Sequence, residues 1–432
     1  MLLTIIVSLS VFILLTLSII FFPSFKIGKI KIGTYWIVTI IGAILLLILK
    51  CVPLDIVVEN LIANTTINPI KILVLFISMT FISIVLDELG LFRWASVKAI
   101  EYAKDKQLSI FLHMYFLIAL LTIFTSNDII ILTITPFICF FCKNAKINPI
   151  PYLIGEFAAA NTYSMMFIIG NPTNIYLATS QDIGFLEYAK VMFLPTIVSG
   201  IVELLLILLI FRKSLNQPFE KTHEEYELDN KAEIIVASIH LLICLVFLVI
   251  SNYIHIEMWM VSLITSISLL ISLIVFKIIR KEDYTITKSI KRLPFELIPF
   301  VLGMFVIIIA LDYREVVANI GKLLSNNYAI FTDGVSSFLM ANIINNIPMS
   351  MLYSELISFE PKAEMIKATY ASIIGSNIGA FLTPIGALAG IMFTNLTEKY
   401  NTKLNFKTFV KYGIMISIPV LFVSLLTLEI VL

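Results

Sequence analysis

The amino-acid sequence predicts an all-α polytopic membrane protein made of two similar halves. Composition is the first reason: mean hydropathy is +1.00, and of 432 residues 59% are hydrophobic and 14% charged, against about 25% charged in soluble domains. Spacing is the second. Apolar runs recur at 2–22, 34–49, 70–86, 108–124, 191–211, 234–250, 259–276, 297–310 and 413–432, and roughly 20 helical residues cross a hydrocarbon core of about 30 Å. The third is a pattern of polar breaks, inside apolar segments, that occurs twice along the chain.

The first run, MLLTIIVSLSVFILLTLSIIFF, lacks a basic leader and a small-residue cleavage pattern, so a retained first helix is expected rather than a signal peptide. Net charge of +1 and a pI near 7.6 give no electrostatic case for nucleic acid as a partner. The cysteines, Cys51, Cys139, Cys142 and Cys244, lie within or beside apolar spans and suggest no disulfide framework.

Charge placement sets the orientation. Lys26, Lys29 and Lys31 follow the first run, Arg93, Lys98, Lys104 and Lys106 follow the third, and further basic residues fill 212–231, 277–292 and 399–411. Residues 52–69 contain no Lys or Arg. The positive-inside rule places the basic segments in the cytoplasm and 52–69 outside, with both termini outside. The most polar stretch, RKSLNQPFEKTHEEYELDNKAE, divides the chain into a first transmembrane half at 1–212, a cytoplasmic linker at 213–231 and a second transmembrane half at 232–432. A solvated linker is the ordinary role of such a charge run.

The halves resemble each other. MTFISIVLDELG at 79–90 and MFVIIIALDYRE at 304–315 each end an apolar run on Leu-Asp. FTSNDIIILTITP, GEFAAANT and IIGNPTN in the first half are matched by ANIINNIPMSM, SIIGSNIG and LTPIGALAG in the second. Asn127 and Asn346 stand 219 positions apart, and Asn161 and Asn377 stand 216 apart, a near-constant offset that argues for duplication. Paired, interrupted hydrophobic segments in two halves point to the binding site of a secondary transporter.

A polar break at membrane depth is tolerated only where it is buried in protein or lines a cavity. Pro172, Pro348 and Pro384 interrupt helical hydrogen bonding, and the half-helix ends so created carry partial charges that suit polar or ionic solutes. Taken alone, GNPTN also reads as a short loop with Pro and Asn as turn formers; matched breaks in both halves favour the buried reading.

SNDIIILTITPF, IIGNPTN, NNIP and GSNIGAFLTPIGALAG resemble signatures of the ion transporter superfamily. They resemble in particular its arsenite permease branch, with the neighbouring divalent anion:sodium symporter-like and citrate transporter-like permeases. The resemblance runs from about residue 72 to 426. It implies two inverted-topology repeats, each with a re-entrant hairpin and a broken transmembrane helix meeting near the membrane midplane. It carries the first break to Asn127 and Asp128, the Asn-Asn-x-Pro break to Asn345, Asn346 and Pro348, and the later break to Thr383, Pro384, Ile385 and Gly386. Pro172 and Thr173, and the run SNIGAFLTPIG, depart from the arsenite branch and look more like the broader permeases. The resemblance implies a dimer for the carboxylate branch.

The expected substrate- or ion-binding set is therefore Asn127, Asp128, Asn161, Asn171, Thr173 and Asn174 from the first half, with Asn345, Asn346, Asn377, Thr383 and Gly386 from the second. Asp128 lies between apolar runs, where an ionised carboxylate costs about 3 kcal/mol or more unless paired or hydrated. Three roles are open to it: carrying an exchanged proton, ligating Na⁺ with nearby amides, or capping the half-helix that follows. Glu156 is open to lining the cavity or ending a helix. Asp87 and Asp312 read as interfacial pairs, while Glu203, inside IVELLLILLIF, faces either the bundle or another subunit.

Cys139 and Cys142 sit three apart on one helical face and read as packing. His113, His223, His240 and His255 show no metal-ligand spacing, so no metal or cofactor is expected beyond a coupling ion, H⁺ or Na⁺. Neither HExxH nor Gly-x-Ser-x-Gly occurs, which argues against an enzyme, and no Walker A motif occurs. Transport must then use an ion gradient or a separate ATPase subunit. The expectation is a multi-pass protein of the plasma membrane, in contact with lipid and a small inorganic or carboxylate solute. Its expected activity is arsenite or antimonite efflux by proton exchange. The alternatives are Na⁺- or H⁺-coupled transport of dicarboxylates, citrate or another inorganic anion, Na⁺/H⁺ antiport, or a channel.

Overall fold

Apolar runs this long leave the chain one way to satisfy its backbone polar groups in lipid, the α-helix, and the computed structural model is built almost wholly of helices. It describes all residues except 23, 28–29, 64–67, 103–105, 219–225, 252, 281–283, 326–327, 401 and 403. Lys29, Lys104, His223, the centre of the 213–231 linker and part of the 52–69 segment lie outside the described residues.

The first half begins with α1 (Leu2–Phe21), the strands β1 (Ser24–Ile27) and β2 (Ile30–Gly33), α2 (Thr34–Ile48) and α3 (Leu54–Ile62). It continues through α4 (Pro69–Glu88), α5 (Leu91–Tyr102), α6 (Gln107–Phe124), α7 (Asn127–Asn144), α8 (Ile150–Tyr163), α9 (Pro172–Ser180) and α10 (Phe185–Ile210). A short α11 (Arg212–Leu215) follows. The second half repeats the order with α12 (Lys231–Ile250), α13 (Met258–Arg280), α14 (Tyr284–Arg292), α15 (Leu297–Tyr313), α16 (Val316–Leu324), α17 (Ala329–Ile344), α18 (Asn346–Leu356), α19 (Met365–Gly379), α20 (Leu388–Lys399) and α21 (Phe406–Val431). The β-hairpin pairs Phe25 with Ile32 in antiparallel register, and so adds a small sheet to a fold expected to be all-α. Period-2 alternation in FKIGKIKIG carried that signal.

Among the described residues, nine helices are long and apolar enough to cross a membrane. The sequence runs at 34–49 and 297–310 correspond to α2 and α15, whereas α7 was not legible as a span because Asn127, Asp128 and Pro136 interrupt its hydropathy. Large apolar side chains stay exposed along the outer helices, such as Leu209 at 70% and Leu242 at 62%, as a lipid-facing belt requires.

With α6 and α7 forming a hairpin whose tip is buried, and α1, α2, α4, the α8–α9 pair and α10 taken as the crossings, each half has an odd number of them and the hairpin returns the chain to the side it left. The second repeat therefore starts on the opposite side, in inverted topology. The packing has the symmetry this implies. α6 lies on α8 as α17 lies on α19, α2 on α15 as α13 on α4, and α7 on α20 as α18 on α9, with α10 against α21 at the centre. Ser199 of α10 and Ser424 of α21 hydrogen-bond to each other there. The hairpin tips, Ser126-Asn127 and Asn345-Asn346, are buried, so both hairpins end inside the protein, as re-entrant elements do.

Candidate functional site

The breaks are built from local capping chemistry. At α9, Pro172 takes the first helical position, where its missing N–H costs nothing, and the Asn171 side chain accepts a hydrogen bond from the Thr173 N–H at 3.2 Å. At α7, the Asn127 Oδ1 accepts from the Asp128 N–H at 2.9 Å. At α18, the Asn345 Oδ1 accepts from the Ile347 N–H at 3.4 Å. Asn345 has φ of 73° and ψ of 154°, a region that costs non-glycine residues about 1–3 kcal/mol. Its Nδ2 donates to the Ile385 carbonyl at 3.0 Å and the next amide, Asn346 N–H, donates to the Gly386 carbonyl at 3.0 Å. These contacts fix the strained tip against the break between α19 and α20.

Two polar clusters result. In the first, Asn127 Nδ2 donates to Asn161 Oδ1 at 3.1 Å, and Ser164 Oγ donates to the Asn161 carbonyl at 2.8 Å. Ser164 Oγ at 2.9 Å and Asn171 Nδ2 at 3.0 Å both approach Asn377 Oδ1, and Asn377 Nδ2 donates to Asn174 Oδ1 at 2.6 Å. Asn174 Nδ2 donates to the Ser164 carbonyl at 2.8 Å. Asn377 thus leaves the second-half group to join the first-half break, and it ties the two repeats together. In the second cluster, besides the Asn345 and Asn346 bonds, Thr383 Oγ1 donates to Asn342 Oδ1 at 2.7 Å and Asn342 Nδ2 donates to the Gly379 carbonyl at 3.0 Å. A Cβ on Gly386 would meet the Gly379 carbonyl oxygen at 2.7 Å, so the break needs glycine there. Pro384 sits in that same break and Pro348 in the first turn of α18.

The site amides Asn127, Asn161, Asn171, Asn174, Asn345, Asn346 and Asn377 are each no more than 3% exposed. Ser126 Oγ and Thr173 Oγ1 are buried without a hydrogen-bond partner. Sequence reasoning missed Ser164 and Asn342. Asn342 carried a signal, standing one helical turn before Asn346 in an amide-rich run.

Asp128 does not cap α7. α7 has no side-chain cap at its N-cap Ser126, and Asp128 instead lines a cavity of about 520 Å³ with Thr80, Ser126, Tyr35, Glu296 and Asn395. The same cavity reaches Lys291 and Arg292, in the basic segment ahead of α15, and Leu388 at the start of α20. Two half-helix N-termini, those of α7 and α20, therefore meet one cavity. Arg292 Nη1 lies 2.6 Å from Asp87 Oδ2 and 2.6 Å from Glu88 Oε1, and Thr133 Oγ1 donates to Asp87 at 2.8 Å. The expected pairing of Asp87 is thereby met; Asp312 forms no ion pair among the described residues. Glu156 is buried in α8, accepting from Thr135 Oγ1 at 2.9 Å. Glu203 faces the bundle, accepting from Tyr115 Oη at 2.9 Å and from Thr162 Oγ1. All four cysteines are buried and free, and no cluster of His, Cys, Asp and Glu suited to a metal occurs among the described residues.

The profile of the citrate transporter family, CitMHS, matches residues 30–364, from the β-hairpin to the end of the second hairpin. The chain belongs to this family. As a citrate transporter family protein it is similar to the arsenical pump membrane protein of Escherichia coli (strain K12), 28% identical over 414 residues, covering 92% of this chain and 93% of the relative. It is also similar to the arsenical pump membrane protein of Yersinia enterocolitica, 26% identical over 388 residues, covering 86% and 87%. The crystal structure of the Alcanivorax borkumensis YdaH transporter, whose topology is described as unusual, matches 99% of this chain and covers 97% of that one. The TM-score is 0.58 and sequence identity 14%, a likeness of fold alone. This family member is a multi-pass membrane transporter, its two repeats meeting at the buried amide clusters.

Proposed function

We propose that the protein exports arsenite or antimonite across the cell membrane in exchange for protons, with Asp128 as the coupling group, and that it is no enzyme. The observation that carries the reading is the composition of the two hydrogen-bonded clusters, buried neutral amides and hydroxyls from both repeats with no Lys or Arg, beside the Asp128 carboxylate, whose cavity reaches Lys291 and Arg292, the latter paired with Asp87 and Glu88. Neutral arsenous acid offers hydroxyl donors and acceptors and needs amide partners rather than fixed cations. The arsenical pump relatives support the same cargo. Transport can bind its cargo weakly, so the buried cysteines are not needed as thiolate ligands.

A second reading is sodium-coupled carboxylate transport, favoured by the meeting of the α7 and α20 N-termini at one cavity. Helix N-termini hold anions without basic side chains, and Asp128 would then ligate Na⁺. Inverted vesicles made acidic inside separate the two. Arsenite accumulation that collapses with the proton gradient and in Asp128→Asn is expected. Succinate movement that requires Na⁺, with arsenite ignored, overturns the proposal in favour of the second reading.

A further inference from the structure

Asp128 lies at the tip of a hairpin, half-buried and facing a cavity, and a group that exchanges protons there needs a way to pass them to the cytoplasm. The same cavity contains a hydrogen-bonded acid and phenol that neither amide cluster uses. Glu296, ahead of α15, accepts from Tyr35 Oη through Oε2 at 3.0 Å and from the Gly33 N–H through Oε1 at 2.9 Å. Both bonds bridge segments more than 260 positions apart in sequence, one from each repeat. Tyr35 is further ordered by edge-on contact with Phe300, with ring centroids 5.3 Å apart.

Tyr35, Glu296 and Asp128 all line the cavity of about 520 Å³. The other groups facing this pair are Thr80 of α4, Ser126 just ahead of α7, Asn395 of α20, and Lys291 and Arg292 near Glu296. Arg292 is committed to Asp87 and Glu88, and no basic side chain forms an ion pair with Glu296 among the described residues. Glu296 is thus an acid held in place by two donors. It stands next to the basic segment that the positive-inside rule assigns to the cytoplasm.

We propose that Glu296 and Tyr35 form the proton relay between Asp128 and the cytoplasm. This rests on the proton-exchange reading of the site. In the relay the Asp128 carboxyl loses its proton to Tyr35 Oη, directly or through water in the cavity, as the Tyr35 O–H bond breaks toward Glu296 Oε2. One proton leaves Asp128, one arrives on Glu296, and the phenol is regenerated neutral. Glu296 then releases the proton to cytoplasmic water. A cavity this size, lined by polar groups at several points, accommodates bridging waters.

The test uses inverted vesicles, in which the cytoplasmic face is outward, with the full-length protein and arsenite as the probe. Glu296→Gln keeps acceptor and shape but cannot carry the proton, and Tyr35→Phe keeps the ring without the hydroxyl. Each is expected to slow proton-driven arsenite accumulation by about tenfold or more and to increase its solvent deuterium isotope effect. Glu296→Ala is expected to slow likewise and to be restored by millimolar imidazole, a small base able to enter the cavity. Variants that transport as wild type overturn the relay. So do variants that are slow without a changed isotope effect or rescue, which would mark the pair as structural. Wild-type accumulation that ignores the proton gradient overturns the underlying reading as well, and that control is scored before any variant.

Discussion

Asn377 is the residue on which the first cluster depends. It accepts from Ser164 and Asn171 and donates to Asn174 and to the Ile373 carbonyl. Asn377→Ala leaves buried amides of α9 without their partner, and an orphaned buried polar group costs about 1–3 kcal/mol. The expected outcome is a lower melting temperature in detergent together with loss of arsenite flux. Unchanged melting would mean that waters replace the side chain. The sequence identified Asn377 and its equivalent Asn161 through their offset, but not their partners. Asn161 bonds to the hairpin tip of its own repeat, whereas Asn377 bonds across to the other. Nothing local distinguishes the two, since partner choice follows from how the half-helices cross. Tyr35 and Glu296 were missed for a related reason. Each sits alone beside a lysine-rich segment, and only the close packing of α2 on α15 brings them together.

At the scale of elements, α17 and α19 pack tightly against each other in the second repeat. A Cβ on Gly375 would lie 2.0 Å from Ser337 Oγ and 2.4 Å from the Gly334 carbonyl oxygen. Small residues at such a crossing let helices pack without a hydrophobic drive between them. Gly375→Ala is expected to destabilise by about 1–3 kcal/mol, the usual cost of overpacking, read as a lower melting temperature. Adding Ser337→Gly should not restore it, because the Gly334 carbonyl is backbone and cannot move aside; full restoration would show that the hydroxyl alone sets the spacing. The breaks were legible as elements, because Pro and Asn clusters inside apolar runs have few other uses at membrane depth. The strand pair after α1 was not, since its lysines read first as a cytoplasmic loop.

The whole molecule follows from an odd number of crossings in each half, which inverts the second relative to the first and leaves both termini on one side, the outer one by the positive-inside rule. Cysteine labelling tests this cleanly because the native thiols are all buried. Glu59→Cys and Lys322→Cys, exposed on helices that the positive-inside rule assigns to the outer side, should react with an impermeant maleimide on intact cells. Glu101→Cys and Lys407→Cys, both exposed, should react only in inverted vesicles, and the reverse pattern would overturn the orientation. The packing of α10 against α21, sealed by the Ser199–Ser424 hydrogen bond, has a mechanical corollary. If the repeats exchange conformations to move the opening from one face to the other, points on their common axis map onto themselves and need not travel. That seam then acts as a bearing rather than a gate. A short crosslink between Ser199→Cys and Ser424→Cys should leave turnover near normal, whereas one joining α7 to α20 should arrest it.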